Sequence, residues 1–287
     1  MANLKEIRNR ISSVSSTMQI TSAMKMVSAA KLKKAQDAIT EMRPYSDKLT
    51  ELIQNLSQSL DGDVQNPYTT VRPVQNVLIV TITSNRGLCG AFNSNIIKQV
   101  QHLANERYAN KAVSLMTIGK KGEDILSKTM TLESSHNSLF DQLTYTNTAN
   151  IAEGIMEAFK AATYDEVVLV YNQFKNAATQ LIQTEAYLPI EANVSENTSA
   201  AADYIFEPSQ EAIVNELLPK SLKMQLFKAI RDSVASEHGA RMTAMHKATD
   251  NATDLRDQLK LTYNKARQAA ITNEILEIVG GAEALNN

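Results

Sequence analysis

Glycine-containing turns between a strand and a helix are where α/β folds cradle phosphate on backbone N–H groups, and this sequence holds two of them. Ser84-Asn-Arg-Gly-Leu-Cys-Gly-Ala-Phe-Asn93 spaces Gly87 and Gly90 as G-x-x-G, without the leading glycine of G-x-G-x-x-G. Ile118-Gly-Lys-Lys-Gly-Glu123 repeats the device after the next strand. No G-x-x-x-x-G-K-[ST] occurs, so the Walker grip on phosphate is missing. Both stretches read first as tight turns that need positive φ or close packing, and second as phosphate sites. Cys89 lies in the first stretch beside Arg86, where a helix N-terminus could favour a thiolate nucleophile. Lone cysteines are more often packing groups, and the nearest histidine in sequence is His102. The other histidines, His136, His238 and His246, form neither H-x-x-x-H nor H-E-x-x-H, and carboxylates are scattered over helix faces. The expectation is no catalytic residue, no cofactor and no metal.

The elements that carry these turns follow from composition. Nine Gly and six Pro in 287 residues are few, and none of the Gly precedes Gly62 while only Gly239 lies between Pro219 and Gly280. Punctuation this sparse at both ends means long helices and excludes an all-β protein. A single cysteine excludes a disulfide-stapled domain. No apolar run reaches the ~18 residues of a membrane span and no signal peptide is seen, which gives the expectation of a soluble, cytoplasmic chain. Residues 1–43 carry eight Lys/Arg against three Asp/Glu, but no aromatics alternate with them, so nucleic acid is disfavoured.

Leu4, Ile7, Ile11, Val14, Met18 and Thr21 have the 3,4 spacing of a coiled-coil seam. The stripe then moves to Ile20, Ala23, Val27 and Ala30, a stutter that relaxes the supercoil. This helix is expected to run to Leu60 with a kink at Pro44. A second one starts at Pro208-Ser209 with Ser209 as N-cap and continues through Leu222, Leu226, Ile230, Val234, Leu255 and Leu259 to Val279, ended or loosened by Gly280-Gly281. Residues 237–254 are too polar for a core helix and call for a partner on one side only. Between the helices, 77–82, 113–118 and 167–171 read as buried parallel strands, alternating with helices over 93–108, 123–128 and 150–162. Residues 179–190 add an antiparallel edge strand, and 195–202 a polar loop. The fold expectation is an α/β chain: an antiparallel coiled coil of the terminal helices (1–60 and 208–287) and a small Rossmann-like α/β foot (61–207). The longer second helix should end in a bare apolar tip.

Several strings resemble the γ subunit of bacterial F-type ATP synthases: Ile7-Arg-Asn-Arg-Ile-Ser-Ser-Val14, Gln19-Ile-Thr-Ser-Ala-Met-Lys-Met-Val27, Arg86-Gly-Leu-Cys-Gly90, Tyr204-Ile-Phe-Glu-Pro208, Ala235-Ser-Glu-His-Gly-Ala-Arg-Met242 and Tyr263-Asn-Lys-Ala-Arg-Gln-Ala-Ala-Ile-Thr-Asn-Glu-Ile275. Asn85 departs from the Asp usual there, and Gly239 interrupts the second helix. The resemblance implies a rotating central shaft, non-catalytic, coupling proton or sodium flow through a membrane c ring to ATP chemistry on three α and three β subunits. It further implies a β-subunit catch at Arg267, Gln268 and Thr272, a neck contact at Met24, Lys25 and Arg241, and an apolar tip in the ring's sleeve at Ile275, Leu276, Ile278 and Val279. Tyr204, Phe206 and Glu207 would meet the c ring and ε subunit. The chain would sit peripherally on the cytoplasmic face of a bacterial membrane, touching it only through the c ring. Two other classes stay open: an α/β nucleotide-dependent enzyme with helical arms, and a passive coiled-coil tether.

Overall fold

The structure, a computed structural model, describes residues 4–59, 67–190 and 210–285. The element order is α1 (Leu4–Ser59), β1 (Asn76–Ile82), α2 (Phe92–His102), β2 (Ala112–Ile118), α3 (Lys120–Leu126), β3 (Thr131–Ser135), α4 (Tyr145–Lys160), β4 (Glu166–Phe174), β5 (Gln180–Leu188) and α5 (Gln210–Leu285). Two compact units divide the chain: Met1–Ser28 with Met242–Asn287, and Ala29–Arg241. No helix among the described residues is long and apolar enough to cross a membrane.

In the unit Ala29–Arg241 the strands lie in the order β3-β2-β1-β4-β5. β1 pairs parallel with β2 and β4, β2 parallel with β3, and β5 closes the edge antiparallel to β4. Six of the seven residues of β1 are buried, as a central parallel strand covered on both faces requires. Leu78, Val80 and Ile82 pack on one face with Ile155 and Phe159 of α4 and Leu222, Leu226 and Ile230 of α5. Val77 and Ile79 face the other way, toward Ile96 and Val100 of α2. This is the Rossmann-like sheet expected, with one strand more. β3 escaped the sequence reading because Thr-Leu-Glu-Ser-Ser is a polar edge strand that only half buries Leu132 and Ser134. α4 starts earlier than residue 150, since Thr144 caps it by accepting from the Asn147 N–H at 3.2 Å. α3 likewise starts three residues early, and α2 ends in a π-turn over Leu103–Arg107.

In the unit Met1–Ser28 with Met242–Asn287, α1 and α5 run antiparallel. Arg8 Nη2 donates to Tyr263 Oη at 2.9 Å, Thr253 Oγ1 to Met18 Sδ at 3.3 Å, and Thr249 Oγ1 to Thr21 Oγ1 at 2.8 Å, so partners advance in opposite directions. The expected stutter is absent. Ile20 and Val27 are 60% and 56% exposed, whereas Thr21 and Ser28 are buried and keep the seven-residue seam in step. A hydroxyl that finds a partner across the seam can hold a seam position that hydropathy alone assigns to a neighbour. Met245 and Ala252 are buried on α5, while Leu255 is exposed and off the seam. Gly280 and Gly281 do not end α5, which runs to Leu285; extending an established helix is far easier than nucleating one. α1 and α5 also pass through Pro44 and Pro219. The loop read at 195–202 and the start read at Pro208-Ser209 lie outside the described residues.

Candidate functional site

The site most open to chemistry by its position is the turn after β1, at the carboxyl end of the central strand. Several of its polar groups, and the first N–H groups of the neighbouring α3, bond within the chain. Thr83 Oγ1 donates to the Gly119 carbonyl (3.1 Å) and accepts from the Gly122 N–H (2.9 Å). The Lys121 N–H donates to the Ser84 carbonyl at 3.0 Å, and the Lys120 N–H to Asn85 Oδ1 at 3.0 Å. The first three N–H groups of α3, the donors a phosphate needs, are therefore all taken. Gly119 has φ +118, and a Cβ there would stand 2.2 Å from the Thr83 carbonyl oxygen. Its glycine serves close packing. Asn85 uses both ends of its amide, since Nδ2 also donates to the Asn137 carbonyl at 2.8 Å.

The β1–α2 turn is tied by side chains of its own. Asn93 Oδ1 accepts from the Ser84 N–H (2.9 Å), Ser84 Oγ donates to the Arg86 carbonyl (2.6 Å), and Asn93 Nδ2 donates to Cys89 Sγ (3.3 Å). Cys89 is 2% exposed, and burial pushes its thiol up, away from a thiolate nucleophile. His102 pairs with Glu106 at 2.8 Å instead. Among the described residues no three His, Cys, Asp or Glu side chains gather as a metal site.

From α5, Arg241 enters the same turn. Nη2 donates to the Arg86 carbonyl at 3.0 Å and to Gly87 at 3.3 Å, Nε donates to Gly87 at 3.3 Å, and Glu237 Oε1 lies 2.7 Å from Nη2. The turn thus presents carbonyl oxygens to a cation, the reverse of the polarity an anion cradle needs. Burial raises the Glu237 carboxyl against the pull of Arg241, and lowers His238 to about 4 with Arg241 and Lys31 adding repulsion. Ser236 Oγ donates to the Asn172 carbonyl at 3.0 Å, beside β4. Glu237 and Ser236 were missed in the sequence. The signal was there for Glu237, four residues before an arginine on one helix face.

The remaining residues singled out in the sequence fall in different places. Arg241 is 8% exposed with its guanidinium occupied as described. Met24 and Lys25 are half-buried on α1 in the other unit. Arg267, Gln268 and Thr272 are exposed on α5, one turn and more beyond Tyr263. Ile275, Leu276, Ile278 and Val279 are 54–71% exposed. Tyr204, Phe206 and Glu207 lie outside the described residues.

A family model described as ATP synthase matches residues 3–285. The ATP synthase gamma chain of Flavobacterium johnsoniae is 70% identical over 286 residues, with 100% of both chains covered. The chain belongs to the ATP synthase gamma chain family. That of Cytophaga hutchinsonii is 52% identical over 297 residues, again covering both chains fully. Among solved structures, this gamma chain family member is similar to a chain of the Tetrahymena thermophila mitochondrial ATP synthase central stalk and c-ring. The identity is 28% and the TM-score 0.60, covering 80% of this chain and 99% of that one. It shares its fold with a chain of the Euglena gracilis mitochondrial ATP synthase OSCP/F1/c-ring structure, at 24% identity and TM-score 0.72, covering 98% and 94%.

Proposed function

We propose that this chain is the central rotating stalk of an F-type ATP synthase and is itself non-catalytic, coupling ion flow through a membrane c ring to ATP synthesis or hydrolysis on a ring of three α and three β subunits. The observation that carries this is the end of α5: Ile271, Ile275, Leu276, Ile278 and Val279 are each about half exposed or more. Five large apolar side chains on one helix end need an apolar sleeve from elsewhere. The full-length match to bacterial gamma chains, and the similarity to a chain of a central stalk and c-ring structure, support reading that sleeve as the α and β ring. The nucleotide-enzyme alternative is disfavoured by the missing Walker motif and by the first backbone donors of α3, already spent within the chain.

In this reading Ile275, Leu276, Ile278 and Val279 seat the shaft's end, and Arg267, Gln268 and Thr272 form a polar catch for one β subunit. Met24 and Lys25 serve a neck contact with the β subunits; the resemblance assigns Arg241 there as well, but its guanidinium is spent within this chain on the Arg86 and Gly87 carbonyls and Glu237. Tyr204, Phe206 and Glu207 meet the c ring and ε subunit at the cytoplasmic face of the membrane. The test is co-purification of the tagged chain from its own cell membranes. The expected result is two nucleotide-binding ATPase subunits at three copies each per chain, together with a small c-ring protein. Recovery of the chain alone, or with partners in equal number, removes the stalk and favours a tether.

A further inference from the structure

Open α/β sheets ordinarily take their ligand at the carboxyl ends of the strands where the strand order reverses; here that point lies between β1 and β4, and its occupant is the chain's own α5. Ser236 bonds the Asn172 carbonyl, Gly239 lies so close to the β4–β5 turn that a Cβ would stand 3.2 Å from Ala177, and Arg241 reaches the turn after β1. That turn has an uncommon shape. Leu88 sits at φ +62, a left-handed conformation unfavourable for leucine, and is 65% exposed, so its own packing does not offset the strain. Gly90 follows at φ +61. The groups that hold the strained turn are Ser84 and Asn93 from within it and Arg241 from outside.

We propose that Arg241 is a positioning residue: its guanidinium, forked onto the Arg86 and Gly87 carbonyls and anchored by Glu237, fixes the Arg86–Gly90 turn with Leu88 outward and Cys89 inward, and so seals the sheet's ligand crevice with the chain's own helix. The planar fork is what the geometry uses. It satisfies two carbonyls and a carboxylate at once, which a single ammonium cannot do. The proposal stands apart from the stalk reading, because its readout needs only the full chain by itself.

Cys89 is the chain's one cysteine and reports on the turn directly. In the folded wild-type chain a water-soluble disulfide reagent should label it slowly. Arg241→Met should speed labelling tenfold or more. Arg241→Lys restores a charge opposite Glu237 and so returns the melting temperature toward wild type, but labelling should stay fast. Labelling of Arg241→Met within twofold of wild type overturns the proposal, as does slow labelling restored by lysine, which would make charge rather than the fork the holding element. Should Arg241→Met fail to fold, the lysine variant is joined by Glu237→Gln, which keeps the fork but removes its anchor. Labelling between wild type and Arg241→Lys is then expected, and a wild-type rate in both variants overturns the proposal.

Discussion

Gly239 sets two effects of known size against each other. In a helix interior, alanine is favoured over glycine by about 1 kcal/mol. Against this, a Cβ at Gly239 would come within 3.2 Å of both the Cα and the carbonyl oxygen of Ala177, so the β4–β5 turn must give by a few tenths of an ångström. That turn is stiff: Asn176 Oδ1 accepts from the N–H groups of Ala178 and Thr179 at 3.0 and 2.7 Å, and the Asn176 N–H donates to the Thr179 carbonyl at 3.2 Å. Overpacking of this kind costs about 1–3 kcal/mol, so Gly239→Ala should be neutral to destabilising by about 2 kcal/mol once the helix gain is subtracted. Gly239→Val adds two methyls where the first carbon already touches, and should lose about 2–3 kcal/mol. Gly154 is the control, because it is exposed on α4 with nothing within 4 Å of its would-be Cβ. Gly154→Ala should gain about 0.5–1 kcal/mol. Urea unfolding of the full chain, read by the midpoint at constant slope, measures all three. If Gly239→Ala gains as much as Gly154→Ala, α5 does not lie against Ala177 and the account of the filled crevice fails with it.

Other outcomes follow from the exposed end of α5 and from the half-buried His238. Ile275→Asp with Ile278→Asp should leave the melting of the lone chain unchanged, because both side chains already face water, yet weaken assembly by about 1.5–3 kcal/mol per side chain buried in a sleeve; intact assembly would argue for a frayed end. Arg267→Ala with Gln268→Ala should keep the fold and the helix pairing, since both are exposed and off the seam, and should lower ATPase and ATP-driven pumping of the assembled complex; wild-type rates with normal assembly would remove the catch. His238 is held at about 4 against an ordinary 6.5, so between those values the unfolded chain binds a proton that the folded chain refuses. Its share of stability is therefore fully present above about pH 6.5 and is lost as pH falls toward 4, by about 1–2 kcal/mol after allowance for its partial exposure. His238→Gln should flatten that slope in urea titrations across pH 4–7; an unchanged slope would assign it to other groups.

Much of the architecture was legible because long helices and buried parallel strands leave strong periodic signals. β1 and β4 could be read from Val77 to Ile82 and Val167 to Tyr171 without any partner. What hid was carried by single polar atoms. The seam of α1 was followed correctly to Thr21 and then lost to Ile20 and Val27, because hydropathy favours those over Ser28, whose hydroxyl side chain is buried. β3 was missed because its residues are mostly exposed, and the starts of α3 and α4 because side chains and glycines there looked like loop. At the candidate site, the absence of a Walker motif was plain from residue types. That the first N–H groups of α3 are taken by Thr83, Ser84 and Asn85 depends on how β1 and β2 end side by side, which no local spacing encodes. The filling of the crevice by Ser236, Gly239 and Arg241 likewise needs the meeting of residues more than sixty positions apart.

Asn85 ties two loops together through opposite ends of one amide, accepting from the backbone of Lys120 and donating to that of Asn137. An aspartate could keep the first bond but would set a charged oxygen against the Asn137 carbonyl. Substitution histories at these places should therefore be yoked. Where lineages carry the acid at this position, the loop around residue 137 must offer a donor or turn its carbonyl away, and where they carry the amide that loop is free to keep its present course.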